Sequence, residues 1–137
     1  MGTPRRILII DDEDDIREVV QVSLEMVANW QVLTACSGNE GLAQARAAQP
    51  DAILLDVMMP DMDGPATLQK LRAEAATQHI PVLLLTAKVQ PADRRGFADL
   101  GVQGVITKPF NPLKLAETVA QALGWSTEGA SFPPGTQ

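Results

Sequence analysis

At 137 residues the chain is long enough for one domain with one core, and 45% hydrophobic against 20% charged residues is a globular composition. Lys and Arg number 11 against 17 Asp and Glu, a net charge of −6 that argues against phosphate backbones and anionic lipid as partners. The single cysteine, Cys36, excludes an internal disulfide, no apolar run approaches the roughly 18 residues of a membrane span, and Met1 to Arg6 lead into no signal-peptide pattern, so a cytoplasmic location is expected.

The first strand is read at Ile7–Ile10, an unbroken apolar run that ends in five acids, Asp11 to Asp15. A first helix follows, with Ile16, Val19, Val20, Leu24 and Val27 spaced along one face. Val32–Ala35 is a weaker, mixed strand. Ser37-Gly38-Asn39-Glu40 then opens a second helix with a capping-box pattern. Ala52–Leu55 is a third, fully apolar strand ending at Asp56. The loop residues Asp61 and Asp63 suit turn chemistry, and Pro65 stands near the first position of a third helix. Val82–Leu85 is another unbroken apolar strand, ending at Thr86, and Pro91 marks a fourth helix. Val102–Ile106 is a diluted fifth strand before Thr107, Lys108 and Pro109, and Asn111-Pro112 starts a fifth helix. The pattern stops after Gly124. Residues 4–124 are therefore read as one domain and 125–137 as a tail or linker stump.

Strict alternation of five strands and five helices predicts an α/β fold with a parallel sheet covered on both faces. Strands buried on both sides read as continuous apolar runs. The first, third and fourth strands do so, which puts the second and fifth at the edges. This is compatible with strand order 2-1-3-4-5, the flavodoxin-like doubly wound (βα)5 arrangement.

Ligands of such sheets bind beyond the carboxyl ends of the strands. There the order 2-1-3-4-5 brings Asp11, Asp12 and Asp56 into one crevice, with Thr86 and Lys108 beside them. Two unit charges about 4 Å apart repel by about 4 kcal/mol at an effective dielectric near 20, so protons or a cation must relieve the cluster. Hard oxygen donors in an open cleft suit Mg²⁺. Metal, ammonium and hydroxyl around a carboxylate suit an incoming phosphoryl group, and Asp56, alone at the end of a central strand, is the candidate nucleophile.

Ile7 to Glu13 (ILIIDDE), Asp56 to Gly64 (DVMMPDMDG), Leu85-Thr86-Ala87 and Thr107-Lys108-Pro109-Phe110 together resemble the receiver domains of two-component response regulators, the CheY-like fold. The resemblance implies a signalling switch rather than an enzyme acting on other molecules. Asp56 would accept phosphate from a phosphohistidine of a sensor histidine kinase or phosphotransfer protein. Asp12, Asp56 and the Met58 carbonyl would hold Mg²⁺ directly, and Asp11 through water. Thr86 would hydrogen-bond the phosphoryl group, Lys108 would pair with it, and the Lys108–Pro109 bond would be cis. A downstream protein partner would bind the surface from Pro91 to Leu123, without nucleic acid or membrane. The sequence departs from many relatives at Val105, three positions before the lysine, where an aromatic residue is common. Met58 and Lys88, two past Asp56 and two past Thr86, occupy positions that help set the phosphoryl lifetime.

Plainer readings hold elsewhere. Glu13, Asp14 and Asp15 suit the first turn of a helix, His79 a surface site, Cys36 a small packing residue, and Met58 and Met59 loop packing. No P-loop, dinucleotide fingerprint, HExxH or CxxC motif occurs. Three rival functions remain at this stage: an aspartyl phosphohydrolase, for which the chain offers no cap domain; a receiver-fold scaffold that works without phosphate; and a regulatory domain of a longer response regulator.

Overall fold

A computed structural model of the chain describes residues 5–59, 64–87 and 101–125. Within them the order is β1 (Arg6–Ile10), α1 (Asp14–Ala28), β2 (Gln31–Ala35), α2 (Gly38–Ala48), β3 (Ala52–Asp56), α3 (Gly64–Ala73), β4 (Val82–Thr86), β5 (Gly104–Thr107) and α4 (Leu115–Leu123). The helix expected at Pro91, and with it Lys88, Asp61, Asp63 and residues 126–137, lie outside the described residues. Hence α4 is the helix expected after Asn111-Pro112.

All strand pairs are parallel, in the order β2-β1-β3-β4-β5. The flavodoxin-like order read from the apolar runs is the order observed. β3 and β4 are buried at every position, whereas the edge strands β2 and β5 are buried only in part. Alternate residues of each strand point to opposite faces. Ile7, Ile9, Leu54, Leu83 and Leu85 therefore pack under α1 and α4, against Val20, Leu24, Ala116 and Val119. Leu8, Ile10, Ile53, Leu55 and Leu84 face the other way, against Leu42 and Ala45 of α2 and Leu68 and Leu71 of α3.

Local chemistry sets the helix ends. Ser37 accepts a hydrogen bond from the Glu40 amide at 3.1 Å, as a capping residue should. α1 has no side-chain cap at Glu13; Asp14 and Asp15 in its first turn favour the positive end of the helix dipole. Its other end turns through Asn29 in the left-handed region (φ 60°), and Trp30 donates back to the Leu24 carbonyl. The last helix starts later than Asn111-Pro112 predicts. Asn111 Oδ1 accepts from the Leu113 amide at 2.9 Å and the Asn111 carbonyl from Lys114, so Asn111 closes a separate turn ahead of Leu115. Val19, assigned by periodicity to the core face of α1, sits at its margin and is 36% exposed, beside exposed Val22 and Met26.

Candidate functional site

The carboxyl ends of β1, β3, β4 and β5 form one rim. Asp11, directly after β1, and Asp56, the last residue of β3, are both buried; Asp12 is exposed. Thr86 ends β4 as a buried residue, and Lys108 follows β5. Adjacent register brings these ends together, with Asp56 opposite Leu85 and Thr86 opposite Thr107. The Lys108–Pro109 bond is cis.

One carboxylate oxygen from each of Asp11, Asp12 and Asp56 lies within 4.8 Å of the others. The Lys108 ammonium reaches into the group, 2.9 Å from Asp11 Oδ2 and 3.2 Å from Asp56 Oδ1. Asp56 Oδ1 also accepts from the Met58 amide at 3.3 Å. Asp11 Oδ1 accepts from the Glu13 amide at 2.9 Å, which closes the turn into α1. Gly64 permits the other side of the site: a Cβ there would stand 2.8 Å from the Asp56 carbonyl oxygen and from Val57 Cα. α3 can thus begin directly against the backbone that carries Asp56.

Burial, and then the Asp11 charge, push the Asp56 carboxyl up to about 6, although Lys108 and the Met58 amide pull the other way. Burial pulls the Lys108 ammonium down, but its hydrogen bonds and charge pairing with Asp11 and Asp56 outweigh this and raise it. One ammonium thus pairs with two of three clustered carboxylates. The surplus of hard, convergent oxygen donors fits a small divalent cation such as Mg²⁺, which is bound through one or two carboxylates and keeps several waters.

Asp11, Asp12, Asp56, Thr86 and Lys108 therefore lie on the same rim, with Met58 two residues past Asp56; Lys88 lies outside the described residues. Met58 is 60% exposed beside Asp56, while Met59 is buried in the core cluster under α2 and α3, so the packing role read for both holds only for Met59. Val105 is half-buried and packs against the α2–α3 core. Two features escape sequence reading. Arg17 of α1 reaches back to the Asp11 carbonyl. Val19, Val22, Met26, Val27, Pro112 and Leu113 line an apolar groove of about 460 Å³ between α1 and the approach to α4.

A family profile described as the response regulator receiver domain matches residues 7–120. The chain belongs to this family. This receiver domain resembles the chemotaxis response regulator CheY4 of Vibrio cholerae, with TM-score 0.82 and 34% identity over 88% of this chain and 99% of CheY4. The signal receiver domain of a signal transduction histidine kinase from Syntrophus aciditrophicus matches at 30% identity and TM-score 0.76, over 96% of this chain and 99% of that domain. Among curated proteins, the DNA-binding dual master transcriptional regulator RpaA of Synechocystis is 45% identical over 106 residues, 77% of this receiver but 44% of RpaA. This receiver spans about half the length of the curated relatives it matches. Among the described residues no helix is long and apolar enough to cross a membrane.

Proposed function

We propose that this receiver is a phosphorylation-activated switch in which Asp56 takes a phosphoryl group from a phosphohistidine of a sensor histidine kinase or phosphotransfer protein. One observation carries this reading: a buried strand-end carboxylate, 2% exposed, lies within reach of Lys108 and of two further acids that together suit a divalent cation. An Asp56 carboxylate oxygen attacks phosphorus, the P–N bond breaks, and the electron pair leaves on the donor imidazole. Mg²⁺ held by Asp11, Asp12, Asp56 and the Met58 carbonyl would supply positive charge to the phosphoryl oxygens. Lys108 then exchanges part of its contact with Asp56 for one phosphoryl oxygen, and the Thr86 hydroxyl donates to another. Active and resting conformations shift in population only to the extent that the phosphoryl group interacts better with one of them. The output surface in this reading runs from residue 91 to residue 123, where a protein partner docks.

Incubation with acetyl phosphate and Mg²⁺, followed by intact-mass measurement, tests the acceptor. The expected result is a gain of one phosphate that disappears in Asp56→Asn. No gain with any donor would leave a scaffold working without phosphate, and a gain that persists in Asp56→Asn would move the acceptor elsewhere.

A further inference from the structure

We propose that Arg17 is a positioning residue of the acidic site, fixing the peptide that joins Asp11 to Asp12 so that both carboxylates face one cation. The proposal rests on the metal reading given above. Arg17 Nη1 donates to the Asp11 carbonyl at 2.6 Å, six residues back along the chain, and Nη2 donates to Asp14 Oδ1. The Arg17 side chain is 17% exposed although Asp14 is 88% exposed, so the guanidinium is tucked inward and its charge pair with Asp14 is the solvent side of the arrangement. An exposed pair of that kind adds little stability by itself. Its effect here is to orient the planar guanidinium, whose fork can serve two acceptors at once.

The carbonyl that Arg17 holds belongs to the Asp11–Asp12 peptide. Rotation of that peptide would swing the Asp12 side chain relative to Asp11. Other anchors act on Asp11 alone: its amide donates to the Ala35 carbonyl at 3.1 Å, Oδ1 accepts from Glu13 and Oδ2 from Lys108. Among the described contacts, the Arg17 bond is the side-chain restraint on the link between the two acids. α1, which packs on the sheet through Val20 and Leu24, thereby sets the spacing of two candidate ligands.

Position and charge predict opposite results. As a fixed positive charge, Arg17 opposes cation binding, so its removal should tighten Mg²⁺; as a positioning group, its removal should weaken it. Mg²⁺ titration by calorimetry on wild type, Arg17→Lys and Arg17→Met separates them, with thermal melting in EDTA as the folding control. Lysine keeps the charge and loses the two-acceptor fork. The expected outcome is a dissociation constant raised about 10-fold in Arg17→Lys, and at least as much in Arg17→Met, with the Arg17→Lys melting temperature close to wild type. If Arg17→Met fails to fold, Arg17→Lys decides alone. An Arg17→Lys constant within about two-fold of wild type, or tighter binding in Arg17→Met, overturns the proposal. If wild type itself takes up no Mg²⁺, the metal reading falls and this inference with it; if only the variants match wild type, this inference alone falls.

Discussion

Asp56 carries the clearest consequence at the scale of a single residue. Its folded carboxyl sits near 6 against an ordinary 3.8, because it is buried beside Asp11. A raised carboxyl binds its proton more tightly in the folded state. The stability this gives is present below the unfolded value and is lost as pH rises through about 6. Ionised Asp56 therefore costs the metal-free domain about 2 kcal/mol near neutrality, after allowance for solvent at the mouth of the crevice. Asp56→Asn removes that cost. In EDTA, the melting temperature of Asp56→Asn is expected to exceed that of wild type by a margin that widens from about pH 4 to about pH 7. A margin constant over that range would mean that Asp56 is not strained by its neighbours. Asp11, Asp56 and Lys108 are legible in the sequence because each stands at the end of a strand or directly after it, where the alternation of elements fixes position. Arg17 is not: an arginine in the first turns of an amphipathic helix looks like any solvated side chain, and a bond to a carbonyl six residues earlier depends on how the chain turns from β1 into α1.

At the scale of elements, Gly64 shows how closely α3 is set against the site. Its nearest obstacles are the Asp56 carbonyl and Val57 Cα, both backbone and unable to swing aside. At Gly41 the obstacle is a side chain instead: a Cβ there would meet Ile10, which is itself fully buried in the core. Gly64→Ala is expected to lower stability by about 1–3 kcal/mol in urea denaturation and to slow phosphorylation by acetyl phosphate, because α3 must back away from the strand end that carries Asp56. An unchanged denaturation midpoint with an unchanged rate would show that α3 is free to retreat. Element type and order were readable throughout the described residues, from apolar runs, proline positions and the Ser37 cap. Helix ends were less so. The Asn111 side chain suits a helix cap and an isolated turn equally well, and here it closes the turn. A periodicity of 3.6 residues defines a face but not its width, so Val19 falls on the predicted core face while the sheet covers only the part of α1 centred on Val20 and Leu24.

At the scale of the whole molecule, charge is distributed unevenly. Eight of the 17 acids fall at positions 11–15, 56, 61 and 63, and those described among them gather at or beside the carboxyl rim of the sheet. The acidity is thus concentrated in a few sequence segments rather than spread as a uniform solubilising coat, and Asp11, Asp12 and Asp56 are the part of it that converges on the rim. The described part of the proposed output surface includes exposed Lys114 and half-buried Glu117, on the approach to and first turn of α4. Charge reversal at these two positions is expected to weaken capture of the downstream partner at least several-fold, by removing complementary charges at a docking rim, while acetyl phosphate labelling stays normal. Partner binding indifferent to both reversals would place the output surface on another face.

At the opposite pole of the sheet, Trp30 and Trp125 meet edge to face with ring centroids 5.2 Å apart, and the Arg5 guanidinium lies 4.4 Å from the Trp125 ring centre. Neither indole is next to Asp56, and five residues of strand, about 17 Å, separate the two ends. The domain therefore holds both of its tryptophans in one place, remote from the acidic rim. Light emitted there is insensitive to simple contact quenching at the proposed phosphoryl site. A spectral change on loading the acceptor would instead report motion relayed across the full height of the sheet to the joint between the amino-terminal segment and the end of the last helix.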